Sequence, residues 1–564
     1  MTKKDLIQLL ETIAVYMELS LENPFKVSAY RKAAGALEAD RRTLDEIDSF
    51  TEIKGIGKGV NDCIVEYVKT GNSTVLNQLK ETVPTGLVRM LKIPSMGPKK
   101  IAKIHKELGI TSVEELKEAC ENKKISALSG FGKKTEENIL SAIEEMLGRP
   151  ERYPIENILA FRNEIENFLK QNSLVEKFNV AGSARRMKET SRDIDYIAVV
   201  KDVEKFTQNF LEAPFVKDVV ARGDKKLSVT IMLDFEEINV DFRFVQLEEY
   251  ATTLHHFTGS KEHNVKMRQL AKTRNEKISE YGVEHQGKIL TFDDEKSFYQ
   301  HFNLNYIPPA MRETGEETEI DVNDIVTLND IKGDIHMHTV YSDGAFSIQG
   351  MIEACIEKGY EYMVITDHSK SLRVANGLDE KRLMAQIEEI KQLDAEYKEI
   401  DVYSGTEMDI LKDGALDFSD DIMQSLDYVI AAIHSSFSQS ESEIMHRLKT
   451  ACENPYVRHI AHPTGRLIGK RDGYPVDMRE LLETAERTNT ILEINANPRR
   501  LDLSADVIRH QNVKFTVNTD AHHTEHLEFM KYGVAVLQKG LIKKEQVINT
   551  MGREAFKEFV NTKK

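Results

Sequence analysis

Two aspartates, Asp193 and Asp195, open an apolar run that ends at Val200, and nine residues separate them from the pair Gly182-Ser183. A strand's period of two turns both carboxylates to one face. Asp241 alternates with Ile238, Val240 and Phe242 and so faces away from the core as well. Three converging carboxylates suit a hard cation such as Mg²⁺ shared with substrate phosphates, and the Gly-Ser turn offers backbone and hydroxyl donors to a polyphosphate. The chemistry is phosphoryl transfer. A D-x-D alone is more often a pair of solvated acids; the glycine and serine at that spacing tip the balance.

A second constellation lies downstream. Eleven of the 17 histidines fall in residues 333–564. Six short β-rich runs there end in metal-capable residues: His336 with His338, then Asp367 with His368, Glu407, His434, His462, and Asp520 with His522. A seventh run, Ile491 to Asn495, carries polar groups but no histidine. Imidazoles mixed with carboxylates favour Zn²⁺, Mn²⁺ or Fe²⁺ over Mg²⁺, and a shared carboxylate such as Glu407 can bridge two ions. Such ions activate water against phosphodiesters near neutral pH. A single buried histidine is usually a satisfied core residue, the reading given to His446, His459, His510 and His526; so many strand-end ligands do not fit it.

These groups need elements to place them. Helical segments at 348–358 and 379–397 alternate with the seven runs, the pattern of a β/α barrel whose chemistry gathers at strand C-termini. Residues 151–248 read as helix then alternating strands, and 250–315 as a small unit with a helix over 266–281. Before them, three glycine turns each precede a helix: Gly55-Ile56-Gly57-Lys58, Met96-Gly97-Pro98-Lys99, and Gly130-Phe131-Gly132-Lys133. Glycine there lets a phosphate approach the N–H groups that open the next helix, with lysines adding charge. One copy alone is usually an ordinary αα turn, but three make a helix-hairpin-helix pattern that holds nucleic-acid backbone without reading bases. The second copy has Ser95 where the others have glycine.

At 564 residues the chain must comprise several domains. Hydrophobic residues at 40% with 30% charged exclude collagen-like and disordered classes. Cys63, Cys120, Cys355 and Cys452 form no C-x-x-C pair, so reduced thiols are expected. No export signal or membrane span is legible, which implies a cytoplasmic protein. A net charge of -17 argues against a nucleic-acid partner, yet residues 1–150 hold 23 basic against 22 acidic residues, leaving room for a local basic groove. Residues 315–330 carry six acids and no base, read as a solvated connector.

The stretch from Gly182 to Asp195 closely resembles the palm motif of family X DNA polymerases, the family of DNA polymerase beta, and residues 1–315 look like its polymerase core. That resemblance makes Asp193, Asp195 and Asp241 ligands of Mg²⁺ or Mn²⁺. It places Arg152, Gly182, Ser183 and Arg186 on an incoming triphosphate, with Phe257, Gly259 and Asn264 in the nucleotide pocket. DNA contacts are implied for Gly55, Gly57, Lys58, Gly97, Lys99, Gly130, Gly132, Lys133 and Arg268. The sequence departs from the pattern at His256, expected as tyrosine, at Met187 and Arg192, both expected as glycine, and at Cys63, where a lyase lysine is expected, so no lyase activity is inferred.

Residues 333–564 resemble the PHP phosphoesterase domain, whose nine ligand positions, holding up to three Mn²⁺ or Zn²⁺ ions, correspond to His336, His338, Asp343, His368, Glu407, His434, His462, Asp520 and His522. The expected fold is multidomain α/β. It comprises helical helix-hairpin-helix modules at 1–80 and 81–150, a mixed α/β nucleotidyltransferase palm at 151–248, and a small α/β domain at 249–315. An acidic linker at 316–332 and a distorted (β/α)7 PHP barrel at 333–564 complete it. The whole resembles bacterial and archaeal family X polymerases, implying a monomer that fills DNA gaps from dNTPs and carries a 3′→5′ exonuclease, with abasic-site cleavage as a side activity. Two rivals stand beside it: a template-independent or RNA-directed nucleotidyltransferase, and a barrel that acts on small phosphate esters or only braces the rest.

Overall fold

The computed structural model describes residues 3–39, 47, 49–91, 93, 96–147, 152–234, 236–562 and 564; Ser95 lies outside them. The chain divides into two compact units, Met1–Pro150 and Glu151–Lys564. Among the described residues no helix is long and apolar enough to cross a membrane.

The first unit is helical and has two cores. One gathers Leu6, Ile13, Leu37, Ile56 and Ile64, the other Met90, Met96, Ile104, Leu116, Phe131 and Ile143. In two of the turns the residue between the exposed glycines, Ile56 or Phe131, is buried, and so is Met96 ahead of the exposed Gly97. Gly55 and Gly130 have φ of 117° and 88°, a region open to glycine but strained for other residues. Gly57 and Gly97 are helix N-caps without a side-chain bond, so the opening N–H groups of Lys58–Thr70 and Pro98–Leu108 are not capped from within.

The second unit begins with a five-stranded sheet ordered Val175–Val180, Asp193–Val200, Glu236–Phe244, Lys226–Leu233, Val216–Gly223. One face is sealed by rings of Tyr196, Phe206, Phe210 and Phe242. Helices Tyr250–Thr258 and Lys261–Thr273 follow, then a three-stranded sheet starting at Glu276–Ser279. The helix expected over 266–281 thus starts earlier and stops at Thr273, where Asn275 adopts φ 55° and the chain turns into the strand.

Residues 316–332 are not a solvated connector. They form one-turn helices at Glu316–Thr318, Val322–Asp324 and Leu328–Asp330, and Ile325, Val326 and Ile331 are buried. Several acids are paired: Glu317 with His263, Glu316 with Arg509, Asp330 with Lys544. Charge counting missed the interleaved apolar residues that dock the segment.

Seven parallel strands then run in sequence order from Gly333–Asp334 to Phe515–Asn518. The ring is joined by Met337 pairing with Ala521, and by His338 N–H donating to the Ala521 carbonyl at 2.8 Å. Helices such as Ile348–Glu357 and Glu380–Glu396 cover the outside. The barrel is tied to the five-stranded module: Arg466 grips Glu189 with both Nη atoms, at 2.7 and 3.2 Å. Arg499 and Lys470 reach Glu156, and buried Lys539 donates to the Met187 carbonyl.

Candidate active sites

The first site is built by strand register. Asp193–Val200 pairs in parallel with Glu236–Phe244 so that Asp195 faces Asp241, while Ile194, Tyr196, Val240 and Phe242 fill the core beneath. Partial burial, then the neighbouring Asp193 and Asp241 charges, push Asp195 up to about 6; burial and Asp241 raise Asp193. Such mutual repulsion is relieved by a cation. Lys226 supplies one, its Nζ 2.8 Å from Asp241 Oδ2. The three carboxylates do not draw their oxygens into one group within 4.8 Å of each other among the described residues.

Gly182, at φ 61°, lies so close that an added Cβ would stand 2.8 Å from Asp195 Oδ2. It opens the short helix Gly182–Arg185, with Ser183 Oγ 2.8 Å from Ser191 Oγ. Arg186 donates to the Thr258 carbonyl at 2.5 Å and to Glu313 at 3.3 Å. Arg152 is held by Thr190, with Nε 2.7 Å from its Oγ1. Phe257 lies under the Arg243 guanidinium, 4.2 Å away, while Asn264 donates to the His256 carbonyl at 2.8 Å with its own Oδ1 buried and unbonded. Gly259 at φ 70° runs beside Arg186, and Arg268 is exposed.

The second site brings all nine expected residues together at the barrel's strand ends. Glu407 serves two sides at once. Its Oε1 is 2.8 Å from His462 Nε2 and 3.1 Å from His434 Nε2, while its Oε2 is 2.9 Å from His368 Nδ1, 3.5 Å from His336 and 3.6 Å from His338. Asp520 Oδ1 stands 3.2 Å from His338 and 3.4 Å from His336. Asp343 closes the open side, 3.3 Å from His522 and 3.6 Å from His368. His462 and Asp520 hold φ values of 29° and 53°, a local strain of about 1–3 kcal/mol each that side chains tolerate where a site requires it.

Three groups of ligand atoms lie within 4.8 Å: His338 with Asp343, His368 and His522; His336 with His338 and Glu407; and His368 with Glu407 and His434. His336 Nε2, both ring nitrogens of His338, His462 Nδ1 and Glu407 Oε2 are buried without an aligned hydrogen bond. Leaving each so costs about 1–3 kcal/mol, which cations at the common centre would offset. The donor set fits divalent ions.

Sequence reasoning missed the residues that hold these side chains in place. Glu493, on the histidine-free strand Ile491–Asn495, accepts from His336 Nδ1 at 2.7 Å and from the His462 N–H at 2.8 Å. Asp409 orients His434 from 2.7 Å. His459 is a core histidine as expected, yet it forms a further close group with His336 and Glu493. His446 and His510, expected in the core, are exposed, and His526 is half-buried against Phe529. Arg500 lines the pocket, its Nε 3.7 Å from Asp520 Oδ2. The polar residues Glu493 and Asn495 alternating along the sixth strand were the available signal for Glu493. Cys63 is buried among Tyr30 and Ser73, with its thiol raised mainly by burial, and offers no nucleophile.

Gly55, Gly57, Lys58, Gly97, Lys99, Gly130, Gly132 and Lys133 are all exposed at helix openings of the first unit.

Comparison with known proteins matches residues 1–73 to a helix-hairpin-helix domain, 87–145 to a SAM-like helix-hairpin-helix tandem, 253–313 to the DNA polymerase beta thumb, and 334–497 to the PHP domain. The chain is 53% identical over 556 residues, 97% of each protein, to the DNA polymerase/3′-5′ exonuclease PolX of Bacillus subtilis (strain 168). It is also 27% identical over 246 residues to a probable phosphatase of Thermoanaerobacter sp. (strain X514), spanning 41% of this chain and 95% of that one. A probable phosphatase of Aliivibrio fischeri (strain ATCC 700601 / ES114) is 24% identical over 234 residues.

Proposed function

Because the chain belongs to the family X DNA polymerases of the PolX type, with a C-terminal PHP domain, we propose that its two carboxylate-bearing centres divide synthesis and degradation of DNA between them. The protein is a DNA polymerase and 3′-5′ exonuclease that acts in gap-filling repair. The observation that carries the division is the presence, in one chain, of two separate centres of different chemistry: oxygens on the five-stranded sheet and imidazoles with carboxylates at the barrel mouth.

In the first, Asp193, Asp195 and Asp241 would hold Mg²⁺ or Mn²⁺, and in the second the nine barrel ligands would hold up to three Mn²⁺ or Zn²⁺. Bound there, divalent ions supply charge neutralisation at phosphate oxygens and, in the barrel, an activated water. The chain's own groups do the placing. The N–H groups of Gly182–Arg185, the Ser183 hydroxyl and the Arg186 and Arg152 guanidiniums accept a dNTP triphosphate. Phe257, Gly259 and Asn264 shape the wall for its sugar and base, and Arg268 faces DNA backbone. The hairpin lysines and open helix N-termini grip phosphates without sequence preference. Glu493 and Asp409 fix the ring orientation of His336 and His434. Arg500 faces the scissile phosphate. The protein works as a monomer.

The test pairs two variants in primer extension and labelled-end degradation. Asp193→Asn/Asp195→Asn loses extension by about a thousandfold and keeps degradation, and His336→Ala/His338→Ala does the reverse. Equal loss of both activities in folded protein overturns the division.

A second reading is favoured by the barrel's likeness to probable phosphatases. The same centre then also cleaves phosphomonoesters, and p-nitrophenyl phosphate turnover abolished by His336→Ala/His338→Ala would establish it.

A further inference from the structure

The barrel pocket is lined by residues of two unlike kinds. Beside the ligand cluster and Arg500, its lining includes the aliphatic residues Leu372, Val374 and Ala375. Val374 is 95% exposed and lines the same pocket as the ligand cluster. It tops a loop that starts at the ligand His368 and returns to it, the Leu378 N–H donating to the His368 carbonyl at 2.8 Å.

That loop is pinned throughout. Ser371 donates its N–H to Asp417 at 2.7 Å and its hydroxyl to Asp409 at 2.6 Å, and Asp409 is the group that orients His434. Asn376, at φ 55°, donates to the carbonyls of Tyr341 and Ser342 at 3.1 and 3.3 Å, next to Asp343. Gly377 packs so tightly that a Cβ would stand 1.9 Å from the Ser369 carbonyl oxygen. The loop is therefore built on the ligands themselves and presents Val374 in a fixed position.

We propose that Val374, with Leu372 behind it, is the contact for the unpaired nucleobase at the 3′ end being degraded, positioning its phosphodiester over the ligand cluster. A nucleobase is the occupant that the structure favours. The pocket continues directly from the centre that takes a phosphodiester, and a nucleotide offers one charged part for the polar residues and one flat apolar part for the aliphatic ones. The assignment rests on the nuclease reading above.

The experiment uses the full-length protein with Mn²⁺ and two single-stranded oligonucleotides, one ending in a normal 3′ nucleotide and one in a 3′ abasic tetrahydrofuran residue. Wild type should show a lower KM for the base-bearing end by about fivefold to tenfold, the worth of one partly buried aliphatic contact. Val374→Ser should lose that preference, keep kcat on the abasic end and leave primer extension intact, while Val374→Ile should retain the preference. The proposal is overturned if wild type shows no preference, if Val374→Ser keeps it, or if both ends weaken equally, which would place the sugar or a protein partner on the valine. Failure of the nuclease reading is a distinct result: no release from either end by wild type.

Discussion

Glu407 shows how much one side chain can carry. Burial alone would raise its pKa, but His434, His368 and His336 hold it well below the ordinary carboxylate range, so it stays an anion at the centre of five imidazoles. Because each oxygen faces a different set of rings, Glu407→Gln should lower bound metal by at least one ion per chain, measured by plasma mass spectrometry after dialysis. Degradation should fall about a thousandfold and extension should not change. Retention of full metal content would show that the two oxygens do not serve two ions. Eight of the nine expected positions stood out in the sequence because they close β-rich runs, and Asp343 came only from the likeness to the PHP pattern. Glu493 was passed over, since its strand carries no histidine and alternation alone does not show that its carboxylate sits behind His336. His446 and His510 were misplaced for a related reason: type alone does not say which face a residue occupies.

At the level of elements, the turn from Gly182 to Arg186 depends on a backbone that only glycine takes easily. Gly182→Ala would set a methyl carbon 2.8 Å from Asp195 Oδ2 at φ 61°. Strain of about 1–3 kcal/mol, released by moving the turn, should raise the dNTP KM some tenfold or more in steady-state extension while degradation proceeds unchanged. An unaltered KM would mean that the turn does not hold the triphosphate. Strand alternation made the facing of Asp193, Asp195 and Asp241 readable in advance, as Ile194, Tyr196 and Val240 do fill the core. The helix expected to reach 281 failed because its polar periodicity continues past Thr273, whereas Asn275 and the strand pairing of Glu276 with His285 decide the fold there.

Across the molecule, the docking of barrel and sheet was invisible in sequence, for it rests on single long-range contacts such as Arg466 with Glu189 and Lys539 with the Met187 carbonyl. Met187 follows Arg186 and is itself left-handed, at φ 54°. Lys539→Met should therefore raise the dNTP KM by about tenfold without touching degradation, with Lys539→Arg partly restoring it. A pH effect accompanies this. Burial pulls the Lys539 amine from its ordinary 10.5 down to about 7. Between those values the unfolded chain binds a proton that the folded one has released, so stability increases as pH climbs through that window and falls back toward 7. Denaturant titrations at pH 7 and 9 should show a gain in wild type that is smaller in Lys539→Met. The same contacts join a centre that lengthens a strand and one that shortens it within one compact body, residues 151–564. Such a frame leaves the travelling to the strand terminus. A mismatched terminus peels from its template more readily than a matched one, so a primer ending in a mismatch should lose nucleotides before it is extended more often than a matched primer does.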